Sequence, residues 1–234
     1  MPLSRWRERE AATIENEALR VTVLREGGHV AEILHKKSGV NPLWVPPWHT
    51  MDPSQYDAAK HTGYGGDAES KLLAGIHGHN LCLDLFGGPT PEEAAAGMTT
   101  HGEGSVARYE LSDEAGGLRQ SATLPLHALK FTRVLKLEGE RVRFTETVEN
   151  LTALDRPIAY TQQVTLGPPF LECGKTEFRM PGTLSATYPA DFAGPNGYLP
   201  VGAIFDWPNA PRKDGKGTVD MRRLQNVPAS AGFS

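Results

Sequence analysis

Two short histidine clusters concentrate the residue types that can do chemistry. His77-Gly78-His79-Asn80 runs on to Asp84, and His101-Gly102-Glu103 lies further along the chain. Imidazole gives and takes protons near neutral pH. Asp84 and Glu103 are carboxylates, able to accept a proton or a hydrogen bond. The interleaved glycines allow positive φ and a close approach of backbone to ligand. This set suits acid–base chemistry on, or hydrogen bonding to, a small polar molecule. His77-Gly78-His79 admits three readings: part of a ligand cleft, a metal site with Asp84 or Glu103 as third ligand, or two rings satisfied by turn hydrogen bonds. The spacing fits a cupin-like HxH-carboxylate site poorly, because Gly75 lies close to His77 and the carboxylate after the pair is Asp rather than Glu.

The elements that must position these residues read as strands. At 234 residues the chain can bury a sizeable core as one domain, 1–234. Its 25 Gly and 18 Pro punctuate turns between short strands. Residues 18–24 (ALRVTVL) and 29–35 (HVAEILH) alternate around a Glu26-Gly27-Gly28 turn and predict a hairpin. Residues 43–45 form a short apolar strand stopped by Pro46-Pro47, and residues 48–66 a long loop. Thr90-Pro91-Glu92-Glu93 has the form of a helix start with a capping box, and Gly97 closes that helix. Strand-like segments follow at 106–111, 118–126, 130–137, 141–149, 157–166 and 178–187. With no βαβ alternation, the expected class is all-β, a large antiparallel β-sandwich. Beyond about Gly194 only short apolar pieces remain, such as 201–207.

Composition bounds the partners. A net charge of −4 with both signs dispersed leaves no basic stripe for phosphates, so nucleic acid is not expected as a partner. No apolar stretch approaches the ~20 residues of a membrane span, and the N-terminal residues contain no apolar core of a secretory signal. A cytoplasmic protein without a membrane partner is expected. Cys82 and Cys173, without a CxxC, are expected to be buried free thiols. Trp44, Trp48 and Tyr64 are either core aromatics or platforms for a ring-shaped ligand.

The order of several segments resembles the aldose 1-epimerase (galactose mutarotase-like) family, in a divergent branch. Residues 14–21 through Glu26-Gly27-Gly28-His29-Val30 are similar to that family's first hairpin. Leu85-Phe86-Gly87-Gly88-Pro89 with Met98-Thr99-Thr100-His101-Gly102-Glu103 is similar to its sugar-site loop, which ends in a His-Gly pair. Val148-Glu149-Asn150-Leu151-Thr152, followed by residues 166–171 (LGPPFL), resembles the strand pair that carries its second histidine.

The resemblance implies a mutarotase-like supersandwich that binds a hexose or related sugar in a cleft on one sheet, with no cofactor. It implies anomer interconversion: a carboxylate takes the anomeric proton, a histidine protonates the ring oxygen, and the ring opens and recloses. On this reading His101 and Glu103 are the catalytic pair, and His77, His79, Asn80, Asp84 and Gln163 bind the sugar. Two departures matter. Gln163 holds the position of the family's acid histidine, and glutamine cannot be a general acid. The family's base glutamate and sugar-binding arginine find no match, and the chain is expected to lack the last strands. Three functions follow: a sugar epimerase, a non-catalytic sugar-binding protein of the same fold, or a metal-dependent β-sandwich enzyme. The sequence leaves the sugar and the oligomeric state open.

Overall fold

A computed structural model describes residues 3–191, 194–225 and 231–233. The chain divides into two compact units, Met1–Phe170 and Leu171–Ser234.

The first unit contains ten strands in two antiparallel sheets. Strands β1 (Ser4–Trp6), β2 (Arg9–Glu15), β3 (Leu19–Leu24), β4 (Val30–His35), β5 (His79–Leu83) and β10 (Tyr160–Val164) form one sheet, in the order β1-β2-β3-β4-β5-β10. Strands β6 (Glu110–Glu114), β7 (Gly117–Leu124), β8 (Leu129–Glu138) and β9 (Arg141–Asn150) form the other, a simple meander. The period-2 pattern explains how the sheets face each other. Val21, Val23 and Val30 of the first sheet meet Leu118 and Leu135 of the second. Leu81 and Leu83 meet Ala122, Leu124, Leu129 and Phe131. Burying these branched and aromatic faces against one another stabilises the sandwich, at about 25 cal/mol per Å² of apolar surface. The expected all-β antiparallel sandwich is the observed architecture.

Several elements fall where the sequence pattern puts them. The hairpin of β3 and β4 turns through Gly27 (φ +79°) and Gly28 (φ +60°), where a Cβ on Gly28 would lie 2.6 Å from the Tyr109 ring. Helix α2 (Pro91–Ala95) has both arms of its capping box: the Glu93 amide donates to Thr90 Oγ1, and the Thr90 amide to the Glu93 carboxylate. Other elements differ. Residues 43–45 are not a strand; Leu43 makes a single bridge to Leu166, because Trp44 donates to Thr165 and accepts from Gly78 instead of continuing a ladder. The strand expected from Val106 starts at Glu110, because residues 107–109 pair with the β3–β4 turn instead: Gly27 donates to the Ala107 carbonyl, Arg108 bridges Glu26, and the Tyr109 amide donates to the Arg25 carbonyl. The pattern gave no sign of β1, β2 or the helix α1 (Ser70–Gly75). Cys82 is buried as expected, but Cys173 is exposed: it lies in a turn, with its thiol on the Leu224 carbonyl.

The second unit carries two small hairpins, β11 (Leu184–Ala186) with β12 (Ile204–Asp206) and β13 (Asn209–Pro211) with β14 (Thr218–Asp220). They pack around Leu199, Phe205, Ala210, Val219 and Met221. Among the described residues no helix is long and apolar enough to cross a membrane.

Candidate functional site

The loops between β5 and β6 build a fixed frame around His101. Helix α2 lies between residues 87–89 and residues 98–101 in the chain, and the Met98 amide bonds back to the Glu93 carbonyl. Thr99 Oγ1 donates to the Ala68 carbonyl at 2.6 Å and the Thr100 amide to the same oxygen at 3.1 Å, which ties this segment to the residues before α1. His101 takes a left-handed backbone conformation, φ +67°. Such a conformation in a non-glycine residue persists only where the surroundings hold it. Here the holding groups are plain: the His101 amide donates to the Gly87 carbonyl at 3.0 Å, and the Gly87 amide donates to His101 Nδ1 at 3.0 Å. The Phe86 ring, 58 % exposed, stacks on the imidazole at 5.0 Å.

These bonds fix the ring's chemistry. Nδ1 is an acceptor, so the proton sits on Nε2. Partial burial lowers the His101 pKa, which favours the neutral ring. The imidazole therefore offers one N–H. It borders a shallow depression of about 410 Å³ lined by residues 67–69, 87–89 and Thr100. Asp67 and Glu69 bring two carboxylates to that lining; Asp67 also accepts from Ser70 Oγ and the Glu69 amide.

Glu103 is held elsewhere. Its carboxylate accepts from the His127 amide at 2.9 Å and lies 3.5 Å from His127 Nδ1, bracing the turn between β7 and β8. Asp84, also left-handed at φ +63°, accepts from Arg156 Nη1 at 2.6 Å, and Arg156 Nη2 donates to the His127 carbonyl. Glu103, His127, Arg156 and Asp84 thus form one chain of contacts. Among the described residues no hydrogen bond joins the side chains of His101 and Glu103. Gly102 fits the gap between them at φ +81°, where a Cβ would lie 2.5 Å from the Leu83 carbonyl.

The HxH pair opens out rather than converging. His77 precedes β5 and accepts from Trp6 Nε1 at 3.2 Å, while its amide donates to Nδ1 of the buried His29. His79 starts β5 and meets Gln162 Oε1 at 2.5 Å, beside the Phe144 ring. Burial, then neighbouring arginines, pushes the His77 pKa down to about 3 and that of His79 to about 4. Both rings stay neutral at physiological pH. Among the described residues no group of three or more His, Cys, Asp or Glu is placed to hold a metal ion.

Asn80 and Gln163 are brought together. They are register partners across β5 and β10, opposite the core face of Leu81. Gln163 Oε1 accepts weakly from the Cys82 thiol, and burial pushes that thiol up to about 12. Asn80 is buried, and its Oδ1 has no partner among the described residues. Of the aromatics, Trp44 and Trp48 meet edge to face at 5.4 Å, and Tyr64 donates to the His49 carbonyl; none of the three lines the His101 depression.

Sequence reasoning missed Phe86, Asp67, Glu69, His127 and Arg156. Phe86 stands in Leu85-Phe86-Gly87-Gly88-Pro89, where an aromatic followed by two glycines is a usable signal. The others come from distant segments without motif or period.

Neither a protein-family model nor a curated protein sequence matches the chain. Among solved structures, a galactose mutarotase-like protein from Lactobacillus casei ATCC 334 superposes with a TM-score of 0.53 at 13% sequence identity, covering 90% of this chain and 67% of that one. A 4-alpha-glucanotransferase from Thermococcus litoralis gives a TM-score of 0.35 at 15% identity, over 60% of this chain and 22% of that one, too low a similarity to carry an argument. The strand order and facing sheets therefore constitute a galactose mutarotase-like β-sandwich fold.

Proposed function

We propose that the chain is a sugar-binding protein of the aldose 1-epimerase type, and that a hexose or related sugar sits in the depression over His101. The observation that supports this reading is the locked imbalance of the His101 ring: one nitrogen is committed to Gly87, and the other carries an N–H beside an exposed aromatic and two carboxylates. A sugar presents hydroxyls that both donate and accept, and a C–H face that packs on an aromatic ring. The Nε2–H matches a hydroxyl or ring oxygen, Asp67 and Glu69 match hydroxyl protons, and Phe86, which stacks on the imidazole without itself walling the depression, would meet the apolar face of a sugar reaching beyond it.

A second reading adds anomer interconversion. The depression brings a proton donor and carboxylates together. A carboxylate would take the anomeric O–H proton as the C1–ring oxygen bond breaks, His101 would protonate the ring oxygen, and closure on the other face would reverse both transfers. The ring's hydrogen bonding opposes this. To serve as an acid His101 must first gain a proton on Nδ1, which displaces the Gly87 N–H. Gln163 cannot substitute, having no proton to release. Binding with slow or no anomerisation is the expected behaviour. The test is titration of a panel of hexoses by NMR, with saturation transfer between anomers on the same samples. Binding of no sugar in the panel would overturn the reading; rapid anomerisation would favour the second one.

A further inference from the structure

β9 ends its sheet. It is ten residues long, pairs with β8 along its whole length without a bulge, and has no strand on its other side among the described residues. It contains no proline and no bulge, and its one inward-pointing charge, Glu146, is already paired with Arg133 and Gln162 of its own chain. Val142, Phe144 and Val148 face the core but are only half-buried, so the flank of the sandwich beside this edge is under-covered. Its outward row reads Arg141, Arg143, Thr145, Thr147, Glu149: basic at one end and acidic at the other. A row ordered in this way is complementary to itself when run antiparallel.

We propose that β9 is a self-association edge, through which two copies of this chain pair antiparallel about a two-fold axis at Thr145. In that register Arg141 faces Glu149 of the second copy and Arg143 faces Thr147, while on the inner row Val142 faces Val148 and Phe144 faces Glu146, whose carboxylate stays on Arg133 of its own chain. A register centred one residue further on would set the two Glu146 carboxylates face to face, and like charges directly opposite are destabilising. The two four-stranded meanders become one eight-stranded sheet, and the unpaired backbone groups of both edges are satisfied. A two-fold interface uses the same patch twice, which the Arg-to-Glu polarity of this strand requires.

Sedimentation equilibrium of the full chain tests this, with three variants. The unmodified chain should be dimeric. Glu149→Arg sets two arginines opposite each other at both ends of the interface and should weaken association about tenfold, since each cross-strand pair contributes a fraction of 1 kcal/mol and tenfold is 1.4 kcal/mol. Adding Arg141→Glu to that variant restores opposite charges and should restore the dimer. Thr145→Cys, in a Cys173→Ser background, should give a disulfide-linked dimer on mild oxidation, because facing Cα atoms in an antiparallel pair lie within disulfide range. An unmodified chain that stays monomeric at the highest concentration reached would overturn the proposal. So would a dimer that is indifferent to Glu149→Arg and does not cross-link through position 145.

Discussion

His101 and Gly87 hold each other by two hydrogen bonds, each 3.0 Å long: the His101 amide donates to the Gly87 carbonyl, and the Gly87 amide donates to His101 Nδ1. The pairing decides which tautomer the imidazole adopts, where its remaining N–H lies and how readily it can take a second proton. It also stabilises the left-handed backbone of His101.

His101→Ala removes the N–H and the stacking partner of Phe86. Sugar affinity should fall about three- to tenfold, the effect of a hydrogen bond worth on the order of 1 kcal/mol. Phe86→Ala should weaken binding to a similar degree while leaving the melting temperature nearly unchanged, since Phe86 is largely exposed. Isothermal titration with a hexose that binds the unmodified chain measures both. Unchanged affinity in both variants would move the site away from the depression.

Gly102→Ala tests the link between fold and site. The new methyl would lie 2.5 Å from the Leu83 carbonyl, at a φ that disfavours any side chain. A loss of roughly 1–3 kcal/mol of stability is expected, as for other strained positions. The shift of residues 101–103 needed to relieve the contact should weaken sugar binding as well. Chemical denaturation and titration of one preparation give both values.

Gln163→His places an imidazole on β10, opposite Asn80 of β5. Among the described residues the carboxamide accepts from the Cys82 thiol alone, so the substitution breaks no strong bond there. Anomerisation by this variant should stay slow, because position 163 does not border the depression over His101 and its carboxylates, and a proton-transfer group contributes its ~10²–10⁴-fold only within hydrogen-bond reach of the sugar; rapid anomerisation would move the site to the β5–β10 face. Saturation-transfer NMR on glucose and galactose anomers reads the outcome.

Acid should destabilise the fold earlier than its carboxylates alone would. His29, His77 and His79 all have lowered pKa values, chiefly from burial, with His77 near 3 and His79 near 4. Above pH 6.5 these rings are neutral folded and unfolded, and stability does not depend on them. As pH falls below 6.5 the unfolded chain takes up protons that the folded chain refuses, so stability drops by roughly 1.4 kcal/mol per pH unit for each such ring. The loss from His79 levels off near pH 4 and that from His77 near pH 3. Urea midpoints should therefore decrease between pH 6.5 and 5, a range in which ordinary carboxylates hardly titrate. A flat profile there would contradict the buried, neutral assignment.

Local pattern determined the strand class, the β3–β4 hairpin and the capped helix α2, because alternation, turn glycines and capping boxes act between residues a few positions apart. The order of the outer strands could not be read in this way. β5 shows no strand signal in the sequence, since it opens on the polar His79 and Asn80 just after Gly78; the pairings with β4 and β10 make it a strand. The tertiary structure also decided what the chemical residues do. His77 and His79, two positions apart in sequence, turn to Trp6 and Gln162 because one precedes the ladder and the other opens it. Glu103, adjacent to the His101-Gly102 pair, is taken by His127. His101 alone among the candidate residues borders the depression, and it does so because Gly87, fourteen positions earlier, is folded back against it. Hydrogen-bond partners are set by which loops meet, and that is a property of long-range packing to which spacing along the chain is blind.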